Sequence, residues 1–282
     1  MSTYAVTGAA SGMGQQAAAK LRRAGHTVIG VDLHDADIVA DLSTEHGRRD
    51  AADNVLAACD GHLDGAVMAA GIGPGPGRED SIPRVNYLGV VELLEAWRPA
   101  LAESGNAKVV VFSSAGSTIT PLVPRRTIRA VQKRDVDKAV RSVRIFRSAA
   151  PPVIYGAAKT AVSLWVRQNA VRADWAGAGI RLNAIAPGAI RTPMLEDLMT
   201  TEAERKRIEA VPAPIGGLGD ASQIGDWVVF MLSDAADYLV GTTVFVDGGS
   251  DAYFRPTAWP KAVPMRDLVG YFRRLRAFGN NR

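Results

Sequence analysis

Residues 3–14, Thr3-Tyr4-Ala5-Val6-Thr7-Gly8-Ala9-Ala10-Ser11-Gly12-Met13-Gly14, run from a short β-branched segment into a glycine-rich turn and then an alanine-rich stretch that ends at Gly25. The pattern predicts a buried strand, a tight turn and a helix closed by Gly25. Glycines let a backbone turn sharply and approach an anion. The first turn of the following helix offers free N–H groups and the positive end of its dipole. Gly8, Ser11, Gly12, Met13 and Gly14 are therefore expected to cradle a pyrophosphate. A glycine turn alone is weak evidence, because any strand-to-helix connection can use glycine.

Working outward, strand-like runs recur, several of them apolar without a period of two: His26–Asp32, Ala36–Leu42, Asp64–Gly71, Ala107–Ser114, Ile180–Gly188 and Thr242–Gly249. Amphipathic or alanine-rich stretches separate most of them, including Ser43–Cys59, with Ser43 or Thr44 as N-cap, and Pro83–Glu103. Strands that alternate with helices and are apolar on both sides indicate a parallel sheet covered on both faces. The expected class is α/β, a doubly wound parallel sheet of the Rossmann type. One domain is expected over residues 1–256, with a basic helical insertion at about 117–150 and a basic tail at 257–282.

The composition fits a globular chain: 282 residues, 47% hydrophobic and 22% charged. Cys59 stands alone, and His26, His34, His46 and His62 show no ligand spacing with it, so neither a disulfide framework nor a metal site is expected. The N-terminus has no signal-peptide pattern, and no stretch of 18 apolar residues offers a membrane span. These features lead to the expectation of a cytoplasmic protein. The net charge of +4 is uneven. Arg125–Arg147 holds nine basic residues against two acids, and the chain from Arg255 onward holds seven against Asp267. The remainder is acidic, so the high isoelectric point does not by itself indicate nucleic-acid binding.

Asp32 ends the second predicted strand, 18 residues after Gly14. A carboxylate there accepts hydrogen bonds from both ribose hydroxyls of NAD and repels a 2′-phosphate; neither Ser11 nor Leu33 supplies a compensating arginine. The expected cofactor is NAD(H), unless Asp32 is merely a solvated acid at a strand end.

Tyr155 and Lys159 stand four apart on a predicted helix, hence on one face. An ammonium within about 4 Å favours a phenolate by roughly 4 kcal/mol at an effective dielectric of about 20, which moves a tyrosine toward the range of a general acid–base. The pair alone is not specific, since helix packing and a solvated lysine explain it equally well. Ser113 and Ser114 close the fifth predicted strand, where α/β sheets bind ligands. Asn86 lies on the helix before it, and Pro187, Gly188, Ile190 and Thr192 follow the sixth strand.

The ordered set Thr7-Gly8-x-x-x-Gly12-x-Gly14, Asp41-Leu42, Asn86, Ser114, Tyr155-x-x-x-Lys159, Pro187-Gly188 with Thr192, and Asp247-Gly248-Gly249 resembles the classical short-chain dehydrogenase/reductase family over nearly the whole chain. Ala69-Ala70-Gly71 stands where the family has Asn-Ala-Gly. The resemblance implies an oxidoreductase that passes hydride between NAD and a secondary alcohol or ketone. It implies that Ser114 holds the substrate oxygen, that Tyr155 exchanges the hydroxyl proton, that Lys159 binds the nicotinamide ribose, and that Asn86 holds a relay water. Asp41 and Leu42 would contact adenine and Thr192 the carboxamide, with Ala70, Gly71, Pro187, Gly188 and Ile190 completing the cofactor surface. An idle dinucleotide-binding sensor or scaffold is the alternative, against which the complete Asn-Ser-Tyr-Lys set argues.

Tyr155 lies 41 positions after Ser114, far more than is usual in the family. This insertion, with Val31-Asp32-Leu33, Arg181–Ala189 and Arg255-Pro256-Thr257, is similar to the bacterial 3α-hydroxysteroid dehydrogenase/carbonyl reductases. Val136, Ala139, Val140, Val143 and Phe146 fall on one helical face. Packing or a subunit contact is the favoured use of that face; a membrane or other anionic partner and a nucleic acid are the alternatives. Covering the Tyr155 helix would favour a homodimer over a homotetramer. Met194, Leu195, Leu198 and Met199 would either roof a hydrophobic substrate such as a 3-hydroxysteroid or simply pack on the sheet. In the tail, Met265, Leu268, Val269, Phe272 and Leu275 form a second stripe, expected to dock across a dimer or near the site.

Overall fold

The computed structural model describes residues 1–258 and 262–280. Trp259–Lys261 and residues 281–282 of the expected tail lie outside the described residues. The chain runs β1 (Thr3–Thr7), α1 (Gly12–Arg23), β2 (Thr27–Asp32), β3 (Ile38–Val39), α2 (Glu45–Ala58) and β4 (Gly65–Met68). Next come α3 (Ser81–Pro83), a π-helical turn over Arg84–Leu88, α4 (Gly89–Glu103) and β5 (Lys108–Phe112). The insertion follows as α5 (Gly116–Ile119), α6 (Arg125–Gln132), α7 (Val136–Val143) and a 3₁₀ segment, Arg144–Ala149, which leads into α8 (Ala150–Asn169). The remainder is β6 (Arg181–Pro187), β7 (Ile190–Arg191), α9 (Pro193–Glu196), α10 (Glu202–Glu209), β8 (Gly219–Asp220), α11 (Ala221–Leu232), β9 (Thr243–Val246), α12 (Ser250–Phe254) and α13 (Leu268–Asn280).

All seven expected strands form one parallel sheet in the order β3-β2-β1-β4-β5-β6-β9. The pairing reverses direction between β1 and β4, which opens a crevice at their C-terminal ends. The central strands β4 and β5 are buried along their whole length, which is why they read as unbroken apolar runs. One helical layer packs Ala17, Ala18 and Leu21 of α1 with Ile224, Val228 and Met231 of α11. The opposite layer combines α2, α4 and α8 around Leu94, Trp97, Ile154 and Val162. A small parallel pair, β7 with β8, lies apart from the sheet and was not expected.

Helix ends follow local chemistry. Ala24 closes α1, and Gly25 directly after it takes φ +85°. Thr44, not Ser43, caps α2, its hydroxyl accepting from Gly47 N. Helix α8 begins at Ala150, with prolines in its first turn, where their missing N–H costs nothing.

The basic segment Arg125–Arg147 is two α-helices, α6 and α7, followed by the 3₁₀ segment, rather than one helix. Arg134 adopts φ +61° between them, and the Asp135 carboxylate caps α7 through Lys138 N. The expected apolar face does bury: Val136, Ala139 and Val143, with Ala130 and Val131 of α6, join the same core as Ile154 and Val162 of α8. The partner surface is thus the chain's own Tyr155-bearing layer. Each fully buried valine contributes about 1.5–3 kcal/mol on folding. Arg125, Arg129, Lys133, Lys138, Arg141, Arg144 and Arg147 face outward, while Arg134 pairs with Glu95 at 2.6 Å.

Candidate active site

The crevice between β1 and β4 forms an open cleft at the C-terminal ends of the strands, where ligands of open α/β sheets bind. Gly8, Ser11, Gly12, Met13 and Gly14 form one wall, Asp32, Leu33, Asp41 and Leu42 one end, and Ala70, Gly71 and Thr192 the other. Twelve of the expected cofactor residues therefore share one cleft. Gly8 is required on two counts: its φ is +72°, and a Cβ there would lie 2.8 Å from Ala70 N. Ser11 stands at the N-cap of α1 without a side-chain cap bond, and no acid occupies that helix's first turn. The free N–H groups and positive helix end are open to an anion.

Asp32 is held rigidly at the far end. Its Oδ2 accepts from Ala10 N at 2.8 Å and its Oδ1 from Leu33 N at 2.7 Å. Each carboxylate oxygen keeps a lone pair for a hydroxyl donor. The Asp41 carboxylate turns back to accept from Ser43 N at 2.8 Å. The cradle therefore fits a dinucleotide: glycines for close approach, an open helix end for phosphate, a carboxylate for ribose.

At the other end four side chains converge. Asn86 sits in the π-helical turn, fully buried. Its Oδ1 accepts from Ile72 N at 2.8 Å and its Nδ2 donates to Ile72 O at 3.0 Å. Tyr155 faces the Ser114 hydroxyl: a Cβ on Gly116 would lie 3.3 Å from both Ser114 Oγ and Tyr155 Cε1, and Ser114 Oγ accepts from Gly116 N at 3.1 Å. Lys159 is buried and donates through Nζ to Phe112 O at 2.8 Å. Ser113 is turned the other way; its hydroxyl pairs with Ser163 at 2.7 Å. Of the two serines, Ser114 is the one that faces Tyr155.

The expectation that Lys159 would draw the phenol toward neutrality is not met. Burial pushes the Tyr155 phenol up, opposed by the Ser114 hydrogen bond. Burial likewise brings the Lys159 ammonium down to about 8. Helical spacing gives the shared face but not the depth, and depth favours the neutral form of both groups.

Pro187 closes β6, and its carbonyl accepts from Ala115 N at 2.8 Å. Gly188 and Ile190 do not line the cleft: they border a separate cavity with Leu218, Gly219 and Trp227. Thr192 caps α9, its hydroxyl accepting from Leu195 N at 3.3 Å, while its methyl faces Gly12. The cleft also uses residues not singled out from sequence: Ala40, Ile72, Val85 and Pro193. Each neighbours a motif residue, which is the one signal that marks them. Of the expected lid, Met194 lines the cleft, and Leu198 meets Met194 over Gly73, where a Cβ would lie 3.1 Å from Leu198 and 3.3 Å from Met194. Met199 borders a different hollow with Arg205 and Glu209.

A doubly wound α/β domain with a phosphate cradle at its switch point and a serine–tyrosine–lysine cluster beside it defines the nucleotide-dependent oxidoreductase class. Comparison with known proteins narrows this. The chain is 35% identical to the 3-alpha-hydroxysteroid dehydrogenase/carbonyl reductase of Comamonas testosteroni, over 91% of its own length and 99% of that protein's. It is 29% identical to the coniferyl-alcohol dehydrogenase of a Pseudomonas strain, over 86% of this chain and 94% of the relative. The crystal structure of the 3-alpha-hydroxysteroid dehydrogenase from Pseudomonas sp. B-0831 complexed with NADH superposes with a TM-score of 0.85 at 36% identity, covering 92% of this chain and all of that one. A family model described as enoyl-(acyl carrier protein) reductase matches residues 140–251. The chain belongs to the short-chain dehydrogenase/reductase family of oxidoreductases. Among the described residues, no helix is long and apolar enough to cross a membrane.

Proposed function

We propose that this protein is an NAD(H)-dependent dehydrogenase/carbonyl reductase that interconverts a bulky, hydrophobic secondary alcohol and its ketone, with a 3-hydroxysteroid as the leading substrate class. The observation that carries the reading is the placing of Tyr155 against Ser114, with buried Lys159 directly behind Gly71 of the glycine cleft. Relatives of similar length act on hydroxysteroids and coniferyl alcohol according to their names, and one neighbouring structure holds NADH.

Gly8, Gly12 and Gly14 with the α1 terminus would hold the pyrophosphate, and Asp32 the adenosine ribose. The bound nicotinamide supplies or accepts the hydride. Ser114 Oγ would donate to the substrate oxygen and hold it against Tyr155. Tyr155 would act as general acid in reduction and general base in oxidation. Its high intrinsic pKa suits donation to a developing alkoxide. Lys159 would steady the charge left on the phenol and bind the nicotinamide ribose, and Asn86 would hold the Ile72 backbone that borders the proton path. Met194 would meet the apolar body of the substrate.

A panel of secondary alcohols and ketones, 3-hydroxysteroids included, assayed for NADH turnover, tests the substrate class. Tyr155→Phe is expected to lower turnover about 10²–10⁴-fold while NADH binding, read by fluorescence, persists. Unchanged turnover in that variant overturns the assignment. The insertion covers α8 within the chain, which supports a homodimer over a homotetramer; light scattering distinguishes them.

A further inference from the structure

The nucleotide cleft makes no use of the C-terminal helix. In α13, at 100° per residue, Leu268, Tyr271, Phe272 and Leu275 fall on one face. Arg274 borders that face on one side, and Arg276 and Arg273 border it on the other. No acidic residue occurs between residues 268 and 280. The face is open: its four side chains are 38–57% exposed, and Met265, just before the helix, is 85% exposed. Elsewhere the chain buries helical stripes of this kind, as it does those of α6 and α7.

An open apolar stripe of this size calls for an occupant. A second copy of the helix would bring two arginine-lined edges together with no carboxylate in either helix to neutralise them. A bilayer carrying anionic headgroups satisfies both parts at once. Its acyl boundary receives leucine and phenylalanine, and its headgroups receive the guanidinium groups that reach up from the flanks of the stripe. Tyr271 presents an amphipathic ring suited to the headgroup level. Thirteen residues at 1.5 Å each give about 20 Å, too short to span a bilayer and long enough to lie in its surface.

We propose that α13 is an interfacial helix that seats this enzyme on anionic membrane surfaces. The proposal is independent of the substrate assignment. The test is co-sedimentation of the full-length protein with phosphatidylcholine vesicles, with and without phosphatidylglycerol. Binding is expected only with phosphatidylglycerol and should weaken as salt rises. Phe272→Asp with Leu275→Asp should abolish it. Arg273→Gln, Arg274→Gln and Arg276→Gln together should weaken it on the order of a hundredfold. Oxidoreductase turnover without vesicles should be unchanged in both variants, which shows that the body is folded. The proposal is overturned by absence of binding to the anionic vesicles, or by binding that neither variant weakens. It is also overturned if the protein ignores vesicles and light scattering shows that the aspartate variant breaks an oligomer, which would make α13 a subunit contact.

Discussion

Asn86 and Lys159 flank one backbone position: a methyl group at Gly71 would stand 3.1 Å from Asn86 Oδ1 and 3.6 Å from Lys159 Nζ. Neither neighbour has room to move. The Asn86 amide is tied at both ends to Ile72, and the Lys159 ammonium is tied to Phe112 O. Gly71→Ala is therefore expected to push Asn86 by a few tenths of an ångström, while Lys159 Nζ comes into ordinary contact with the added methyl. Steady-state kinetics should show kcat lower by about tenfold or more, because misplaced catalytic groups lose rate steeply. NADH affinity should change much less.

Cofactor choice is best tested beside Asp32 rather than at it, since both carboxylate oxygens hold backbone N–H groups. Leu33 is half-exposed and lines the same end of the cleft. Leu33→Arg introduces a cation where a 2′-phosphate would lie. Turnover with NADP, measured as kcat/KM, should rise about tenfold or more, with that for NAD little changed. A parent enzyme that already prefers NADP would defeat the Asp32 argument.

The buried Lys159 ammonium makes stability depend on pH. Its folded value of about 8 lies below the ordinary 10.5 of an unfolded lysine. Between those values the unfolded chain holds the proton and the folded chain does not, so stability rises with pH across that window. The cost is fully present below pH 8 and is on the order of 3 kcal/mol. Lys159→Met should raise urea stability at pH 7, and the gain should shrink as pH climbs toward 10.5. A gain that is the same at both pH values would mean that the ammonium is not the cause.

The insertion should divide sharply into two kinds of position. Ala139 is fully buried, so Ala139→Asp places an unpaired charge in the core and should cost about 3 kcal/mol or more in urea unfolding. Arg141 and Arg144 are exposed, and their replacement by glutamine should fall within about 0.5 kcal/mol of the parent.

The strands were legible because they are short apolar runs, buried along their length at the centre of the sheet, although β3 and β9 at its edges are only partly covered. The β7–β8 pair was not, since Ile190–Arg191 and Gly219–Asp220 are too short to carry a period. In the insertion the sequence revealed a face needing cover and pointed to the Tyr155 helix, but did not decide between packing within the chain and a subunit contact. Periodicity defines a stripe without naming its partner. Of the motif residues, Gly8 and Asp32 line one cleft, and Ser114 stands against Tyr155. What spacing did not convey was depth: how far Lys159 is buried, and that Gly188 and Ile190 border a different cavity.

Ser114 and Tyr155 meet although 40 residues lie between them. Their meeting does not depend on that chain. Phe112 and Ser113, at the end of β5, are stitched directly to Lys159 and Ser163 of α8, and Ser117 O accepts from Thr160 Oγ1 at 2.7 Å. The two hydroxyls are thus set by the register of a strand against a helix, and the contour between them is free to lengthen. A loop at that place can change its size, charge and company while the chemistry beneath it keeps the same geometry.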